Sequence, residues 1–335
     1  MSILVTGGLG FIGSHAAASL LGNERQIVIL DNLCNSKASV HQNLEVLSQQ
    51  KIPLYVGGVR DSDFLSTIFS KYDITALMHF AGLKSVAESV IDPLKYYENN
   101  VVGAVVLIWL MQKHGVYKII FSLSATVYGA PKYLPFDESH PKNPINPYGS
   151  TKLQVEEILA NLSKSDKRWA IAYLRYFNPV GAHPSGLIGE LPNHRRDNLM
   201  PYIAQVAAKH RPFLMVYGDD CDIEEGTGER DNIHVMDLAE GHIAALELLE
   251  NQPGLHVFNL GTDKPHSVFG VIRTLESVSG QSIPVEIGAR RDGDLPSYYE
   301  SPMKAKSVLG WQAKRTLEDI CQSAWQFQLK LQTQS

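Results

Sequence analysis

Short apolar runs rich in β-branched residues recur along the first half of the chain: Ile3-Leu4-Val5-Thr6, Ile27-Val28-Ile29-Leu30, Ala76 to Phe80, Lys118 to Ser122 and Ala170 to Leu174. Longer stretches of helical character separate them. Such alternation predicts a parallel sheet covered by helices on both faces, an α/β architecture of the doubly wound kind. The runs lack polar alternation, as strands buried on both sides do. From about Pro179 the rhythm breaks, and Pro, Gly and Asn become frequent through Asn198. The expected division is a sheet domain over 1–178 and a smaller α+β domain over 179–335, with some segments of the second packing back on the first. No internal repeat, low-complexity tract or flexible linker separates the two.

Composition narrows the range of functions. The 335 residues are 44% hydrophobic, enough for a sizeable core. Thirty Lys and Arg against 35 Asp and Glu give a net charge of -5, so there is no basic footprint for nucleic acid or an anionic membrane. A phosphorylated ligand then requires a local group of Arg. The longest apolar run, Val101 to Met111, is short of the roughly 20 residues of a membrane span and reads as a buried helix. Met1 to Thr6 has no charged leader region and reads as a strand, not a signal. Cys34, Cys221 and Cys321 are odd in number and far apart, which fits neither a disulfide framework nor a metal site. A reducing cytoplasm is the expected setting.

Gly7-Gly8-Leu9-Gly10-Phe11-Ile12-Gly13 follows the first run and opens a helix near Ile12. Gly7, Gly10 and Gly13 suit a sharp turn where a pyrophosphate approaches backbone amides at a helix N-terminus. Three spaced glycines alone are a weak signal. Asp31, about 20 residues on at the end of the second run, strengthens it, because a carboxylate there accepts from an adenosine ribose and repels a 2′-phosphate. A Rossmann-type site for NAD is expected. The plain alternative for Asp31 is a turn former before Asn32.

Tyr148-Gly149-Ser150-Thr151-Lys152 follows Asn146-Pro147, and a proline there predicts that Tyr148 lies in the first turn of a helix. Tyr148 and Lys152 then share one face. A phenol with pKa near 10 needs about 4 kcal/mol of phenolate stabilisation to act as a base near neutrality. An ammonium about 4 Å away supplies a term of that size at an effective dielectric of about 20. Ser124, just past the strand Lys118 to Ser122, sits where parallel sheets bind ligands and is placed to relay a proton. Its bland reading is a loop serine bonded to backbone. Asn99 contacts the cofactor or caps the following helix.

With these motifs in place the chain resembles the extended short-chain dehydrogenase/reductases, and among them the UDP-galactose 4-epimerases, from Ile3 to about Trp325. The resemblance is carried by the glycine loop, Asp31-Asn32-Leu33-Cys34-Asn35-Ser36, Phe80-Ala81-Gly82-Leu83-Lys84 and Ser124 to Gly129. It continues through Arg175 to Ala182, Asn198-Leu199-Met200-Pro201 and Arg291-Asp292-Gly293-Asp294. It implies an NAD site lined by Gly7, Gly10, Phe11, Ile12, Gly13, Asp31 to Ser36, Gly58, Val59, Phe80, Ala81, Gly82, Leu83, Lys84, Asn99, Ser124, Tyr148, Lys152 and Phe177. Within the second loop this means Asn32, Leu33, Cys34, Asn35 and Ser36. It further implies that Lys84, Ser124, Tyr148, Asn178, Asn198, Leu199, Tyr217, Arg230, Arg291, Asp294 and Tyr298 hold UDP-galactose or UDP-glucose, with Ser124, Tyr148 and Lys152 catalytic.

Arg230 and Arg291 each offer a planar fork to a diphosphate, and Tyr217 a ring to uracil. The plain alternative for Arg291 is a solvated surface cluster with Arg290 and Asp292, and for Tyr217 a place in the core. Tyr298 is implied to wall the sugar pocket. A homodimer through the apolar faces of Tyr96 to His114 and Tyr148 to Ser163 is also implied, though these faces read equally as core. Three positions depart from the family pattern: Gly58 stands for an Asp that reaches adenine, Asn232 for a Tyr, and Leu123 for a Ser. A dehydratase or decarboxylase of the same superfamily would carry acidic residues where Ala125 and Thr126 stand. A non-catalytic NAD sensor would lack the Tyr148 and Lys152 pair.

Overall fold

The apolar runs become strands close to where their patterns begin and end. The computed structural model describes residues 1–191, 198–221, 223, 225–290 and 295–333. In chain order the strands are β1 (Ser2–Thr6), β2 (Ile27–Asp31), β3 (Leu54–Val56), β4 (Ile74–His79), β5 (Lys118–Ser122), β6 (Ala170–Arg175) and β7 (Asn178–Val180). There follow β8 (Leu214–Tyr217), β9 (Glu229–His234), β10 (Gly254–Asn259), β11 (Pro265–Ser267), β12 (Val285–Gly288) and β13 (Ser297–Tyr298). Seven of them form one sheet in the order β10-β6-β5-β4-β1-β2-β3, parallel throughout.

Successive side chains point to opposite faces, so a strand apolar at every position must feed two cores. Ile3 and Val5 enter one apolar cluster with Ile29, Leu246 and Trp311. Leu4 enters the other with Val28, Leu77, Phe121 and Ile171. A third cluster, including Ile203, Val216, Leu275 and Ile320, underlies the second half of the chain. There β11, β9, β13 and β7 make a small sheet, and β8 pairs with β12.

The chain reverses direction across the sheet between β1 and β4. β2 and β3 extend one way from β1, while β4, β5 and β6 extend the other. A crevice therefore opens at the C-terminal ends of β1 and β4, the usual ligand position in such sheets. β10 joins the edge beside β6, although it lies in the irregular half of the chain. Its Gly, His and Asn hid it from the apolar pattern, and β3 is too short to show one.

The run from Val101 to Met111 differs from expectation. A π-helical turn, Tyr97–Val102, leads into the helix Gly103–Lys113, with Leu107, Ile108, Leu110 and Met111 buried. Val102, Val105 and Trp109, spaced along one face, are 48%, 43% and 55% exposed. The helix is apolar on its outer side as well as its inner one. No helix among the described residues is long and apolar enough to cross a membrane.

The helix Pro147–Ser165 is fastened to the sheet by charge. Arg175 on β6 donates from Nη2 to Glu156 Oε1 at 2.6 Å and from Nε to Oε2 at 3.3 Å. Lys142 reaches the same Oε1 at 2.6 Å. Arg175 also donates to the Tyr128 hydroxyl at 2.8 Å, which donates in turn to Asn259 Oδ1 on β10 at 2.6 Å. The Arg175 and Glu156 side chains are 2% and 4% exposed. Removing one partner of such a pair costs about 3–5 kcal/mol, because the other charge stays buried. Glu156→Ala should therefore lower the thermal midpoint strongly and Glu156→Gln less; an unchanged midpoint in Glu156→Ala would show that the pair does not fasten the helix.

Candidate active site

The glycine loop closes on its neighbours so tightly that no side chain fits. Gly7 has φ +68°, and a Cβ there would lie 2.6 Å from Ala81 N; one on Gly13 would lie 2.2 Å from Gly7 O. The turn after β1, the turn after β4 and the first turn of the helix Phe11–Gly22 thus meet backbone to backbone. Gly10 caps that helix without a side-chain bond, so its first amides face the crevice. A bare, amide-lined crevice fits a pyrophosphate. Asp31 ties the surrounding loops: Oδ2 accepts from Leu9 N at 3.0 Å, and Oδ1 from Leu33 N at 2.9 Å and Ser36 Oγ at 2.8 Å. Asn32 turns the exposed Cys34 by accepting from its amide at 3.1 Å. Gly58 has open space where a side chain would stand, and Val59 beside it is buried against Gly103.

Tyr148 sits in the first turn of Pro147–Ser165, as expected. Asn146 caps that helix, accepting from Gly149 N at 2.8 Å. Ser124 caps the short 3-10 turn Ala125–Val127, its Oγ accepting from Thr126 N at 3.3 Å, and its hydroxyl acts on the Tyr148 phenol. Burial raises the Tyr148 pKa and the Ser124 hydroxyl lowers it. One turn further on, Lys152 is buried, and desolvation brings its ammonium down to about 8. Its Nζ donates to Ser122 O at 3.0 Å and lies 4.9 Å over the Phe121 ring. Here the geometry departs from the expected direct ammonium–phenol pair: Lys152 is held by the end of β5, and burial and Ser124 are what act on Tyr148.

Gly82 lies in the same spot, its missing Cβ 3.7 Å from Lys152 Nζ. Phe80 packs against His242, with ring centroids 4.8 Å apart. Lys84 meets Glu190 Oε1 at 3.0 Å, and Asn198 Nδ2 donates to the same oxygen at 2.5 Å. Phe177, just past β6, stands perpendicular to Tyr298 at 4.4 Å, and the Tyr298 hydroxyl donates to Ala125 O at 3.0 Å. Asn178 on β7 is in register with Asn232 on β9. Arg230 donates to Leu295 O at 2.9 Å, Leu199 opens the helix Leu199–Ala207, and Tyr217 ends β8 with 48% exposure. Arg291 and Asp294 lie outside the described residues.

Two residues organise this region without having been singled out in the sequence. Asn100, next to the candidate Asn99, is 5% exposed and accepts from Leu83 N at 2.8 Å while donating to Leu83 O at 3.0 Å and Thr151 Oγ1 at 3.2 Å. It clamps the turn after β4 to the Tyr148 helix, and Asn99 only supports it, donating to its Oδ1 at 3.0 Å. Glu190 is the other. The adjacent pair of asparagines was the available signal for the first; an isolated acid in a Gly-rich segment offered none for the second.

The model of the GDP-mannose 4,6 dehydratase family matches residues 4–324. A UDP-glucose 4-epimerase of Neisseria meningitidis serogroup C is 51% identical over 326 residues, covering 97% of this chain and 96% of its own. Among solved structures, a UDP-glucose 4-epimerase from Stenotrophomonas maltophila with bound NAD and formylated UDP-arabinopyranose superposes with a TM-score of 0.97 at 43% identity, covering 100% of both chains. One from Bifidobacterium longum in complex with NAD+ and UDP gives 0.95 at 44% identity, covering 98% of each.

Proposed function

The chain belongs to the UDP-glucose 4-epimerase family, and on that premise we propose that it interconverts UDP-galactose and UDP-glucose by transient oxidation at C4′, rotation of the ketose and return of the hydride. The crevice framed by Gly7, Gly13 and Ala81 would hold NAD, which when bound would supply the hydride acceptor and, once reduced, the donor. The observation that carries this reading is the convergence of Ser124, the first turn of the Tyr148 helix and the buried Lys152 at the end of β5, with Lys152 Nζ on Ser122 O at 3.0 Å and 3.7 Å from the place of a Gly82 Cβ. Tyr148 Oη takes the 4′-hydroxyl proton, through or alongside Ser124, and gives it back to the 4′-oxygen as hydride returns to the other face of C4′. Lys152, fixed on Ser122 O, keeps a cation on the same helix face. Asn178, Asn198, Leu199, Tyr217 and Arg230, with Arg291 and Asp294, hold the UDP. Binding energy must sit there, because a sugar that turns cannot be gripped. Dehydration would need a carboxyl acid after β5, where Ala125 and Thr126 stand.

The division into a cofactor domain over 1–178 and a UDP-sugar domain over 179–335 follows the same reading. The three free cysteines fit a reducing cytoplasm, and the reaction fits galactose use. Val102, Val105 and Trp109 supply the apolar face of a two-fold dimer.

Three outcomes test these points. Purified protein without added cofactor should convert UDP-galactose to UDP-glucose by NMR, and Tyr148→Phe should keep NAD but lose about 10² to 10⁴ in turnover. Near wild-type kcat in the variant would remove Tyr148 from the chemistry. Tyr298 should crowd a 2′-acetamido group at about 1–3 kcal/mol, or roughly 5- to 150-fold in kcat/KM. Tyr298→Cys should narrow that gap by gaining the larger sugar, and equal wild-type kinetics on both sugar pairs would refute the crowding. Trp109→Asp should halve the mass seen by sedimentation; a wild-type protein that sediments as a single chain would rule out the dimer.

A further inference from the structure

Glu300 follows the Tyr298-Tyr299 pair and bridges to Phe136 through the backbone. Tyr299 O accepts from Phe136 N at 3.0 Å, and Ser301 N donates to Phe136 O at 2.8 Å. Its side chain is fully buried, yet neither carboxyl oxygen has a hydrogen-bond partner among the described residues. A buried carboxylate without donors is among the costliest groups a protein can hold. The chemistry proposed for the cleft makes no use of it.

Its neighbour on β9, Asp231, is 1% exposed but well supplied with donors. It accepts from Thr262 Oγ1 at 2.7 Å, from Thr262 N at 3.0 Å and from Asp263 N at 3.3 Å. A Cβ on Gly261 would lie 2.6 Å from Asp231 Oδ2 and 2.9 Å from Glu300 Oε1, so the two carboxyl groups border the same small space. The other groups acting on Glu300 are Glu138 from the segment before Pro147, Arg175 on β6, Tyr128 after β5 and Tyr298 on β13. Arg175 is the single cation among them, and Glu156 already holds it.

We propose that Glu300 is a neutral carboxylic acid in the folded protein, donating toward ionised Asp231, and that this proton latches the segment bearing Tyr298 onto β9. Donors on Asp231 favour its charge, and their lack on Glu300 favours the neutral form. Burial, then Asp231 and Glu138, push the Glu300 carboxyl well above its usual range against Arg175, while burial brings Asp231 to about 6 in spite of its donors. Loss of the proton to solvent would set two anions in one dry space, and the strand would have to part. β13 pairs with β9 at Ser297 and Tyr298, and the Tyr298 hydroxyl rests on Ala125 O beside Ser124. The latch therefore reaches the sugar side of the cleft, a step that rests on the reading of Tyr298 given above.

The sign follows from linkage. Glu300 has a higher pKa folded than unfolded, so the folded state holds the extra proton and stability falls as pH rises from the ordinary carboxylate range through the folded value. The test uses NAD-loaded protein, as wild type, Glu300→Gln and Glu300→Ala. Infrared difference spectra at neutral pH should show a protonated carboxylic acid in wild type that is lost in both variants. The wild-type thermal midpoint should fall more steeply than either variant's between about pH 5 and pH 9. No acid band in wild type, or parallel midpoints, would overturn the proposal, and the wild-type spectrum decides even if Glu300→Gln fails to fold. Preference for UDP-galactose over its N-acetylated counterpart should weaken with pH in wild type and stay level in Glu300→Ala. If it stays level in wild type while Tyr298→Cys alters it, the latch does not reach the pocket; if Tyr298→Cys leaves it unaltered, the reading of Tyr298 is what fails.

Discussion

The arrangement of the site rests on a buried ion pair. Arg175 and Glu156 join β6 to the helix that carries Lys152 and Tyr148 one and two turns earlier. Isolated, each would be too costly to bury; together, bonded to Lys142 and Tyr128 and through Tyr128 to Asn259, they set the height and rotation of that helix over the sheet. Lys152 then falls on Ser122 O at the end of β5, and Tyr148 falls beside Ser124. Asn100 completes the fixation from the opposite side by joining Leu83 and Thr151. A proton-transfer group needs placement within a fraction of an ångström. Buried polar ties deliver that better than apolar contacts, which tolerate sliding.

What could be read from the chain followed the reach of its local signals. Strands buried on both faces advertise themselves as unbroken β-branched runs, and β1, β2, β4, β5 and β6 appeared within a few residues of their observed ends. The glycine loop was legible because bare backbone contact tolerates no other residue at Gly7 and Gly13. β10 was not legible, since an edge strand with Gly254, His256 and Asn259 has no run to show, and its place is set by parallel register with β6 alone. The partner of Lys152 was missed for a related reason. Sequence spacing puts Tyr148 and Lys152 on one helix face, but which oxygen receives the ammonium is decided by where β5 ends, 30 residues upstream.

The irregular second half is not an appendage. It contributes β10 to the edge of the main sheet, Asn259 to the Arg175 network and Tyr298 to the roof over Ser124. The helix Val235–Asn251 supplies Leu246 to the same apolar cluster as β1 and β2. The two halves of the chain thus share a sheet edge, a polar network and an apolar cluster.

The carboxylate of Asp31 spends its lone pairs inward. Both oxygens accept from the protein itself, at Leu9, Leu33 and Ser36, so one side chain holds together the two loops that frame the crevice. A redesign aimed at a phosphorylated dinucleotide would naturally begin by replacing this acid with a small or basic residue. Here that exchange would also unpin both loops at once. A change at Asp31 therefore requires new acceptors for two backbone amides and one hydroxyl before any effect on an added phosphate can be expressed.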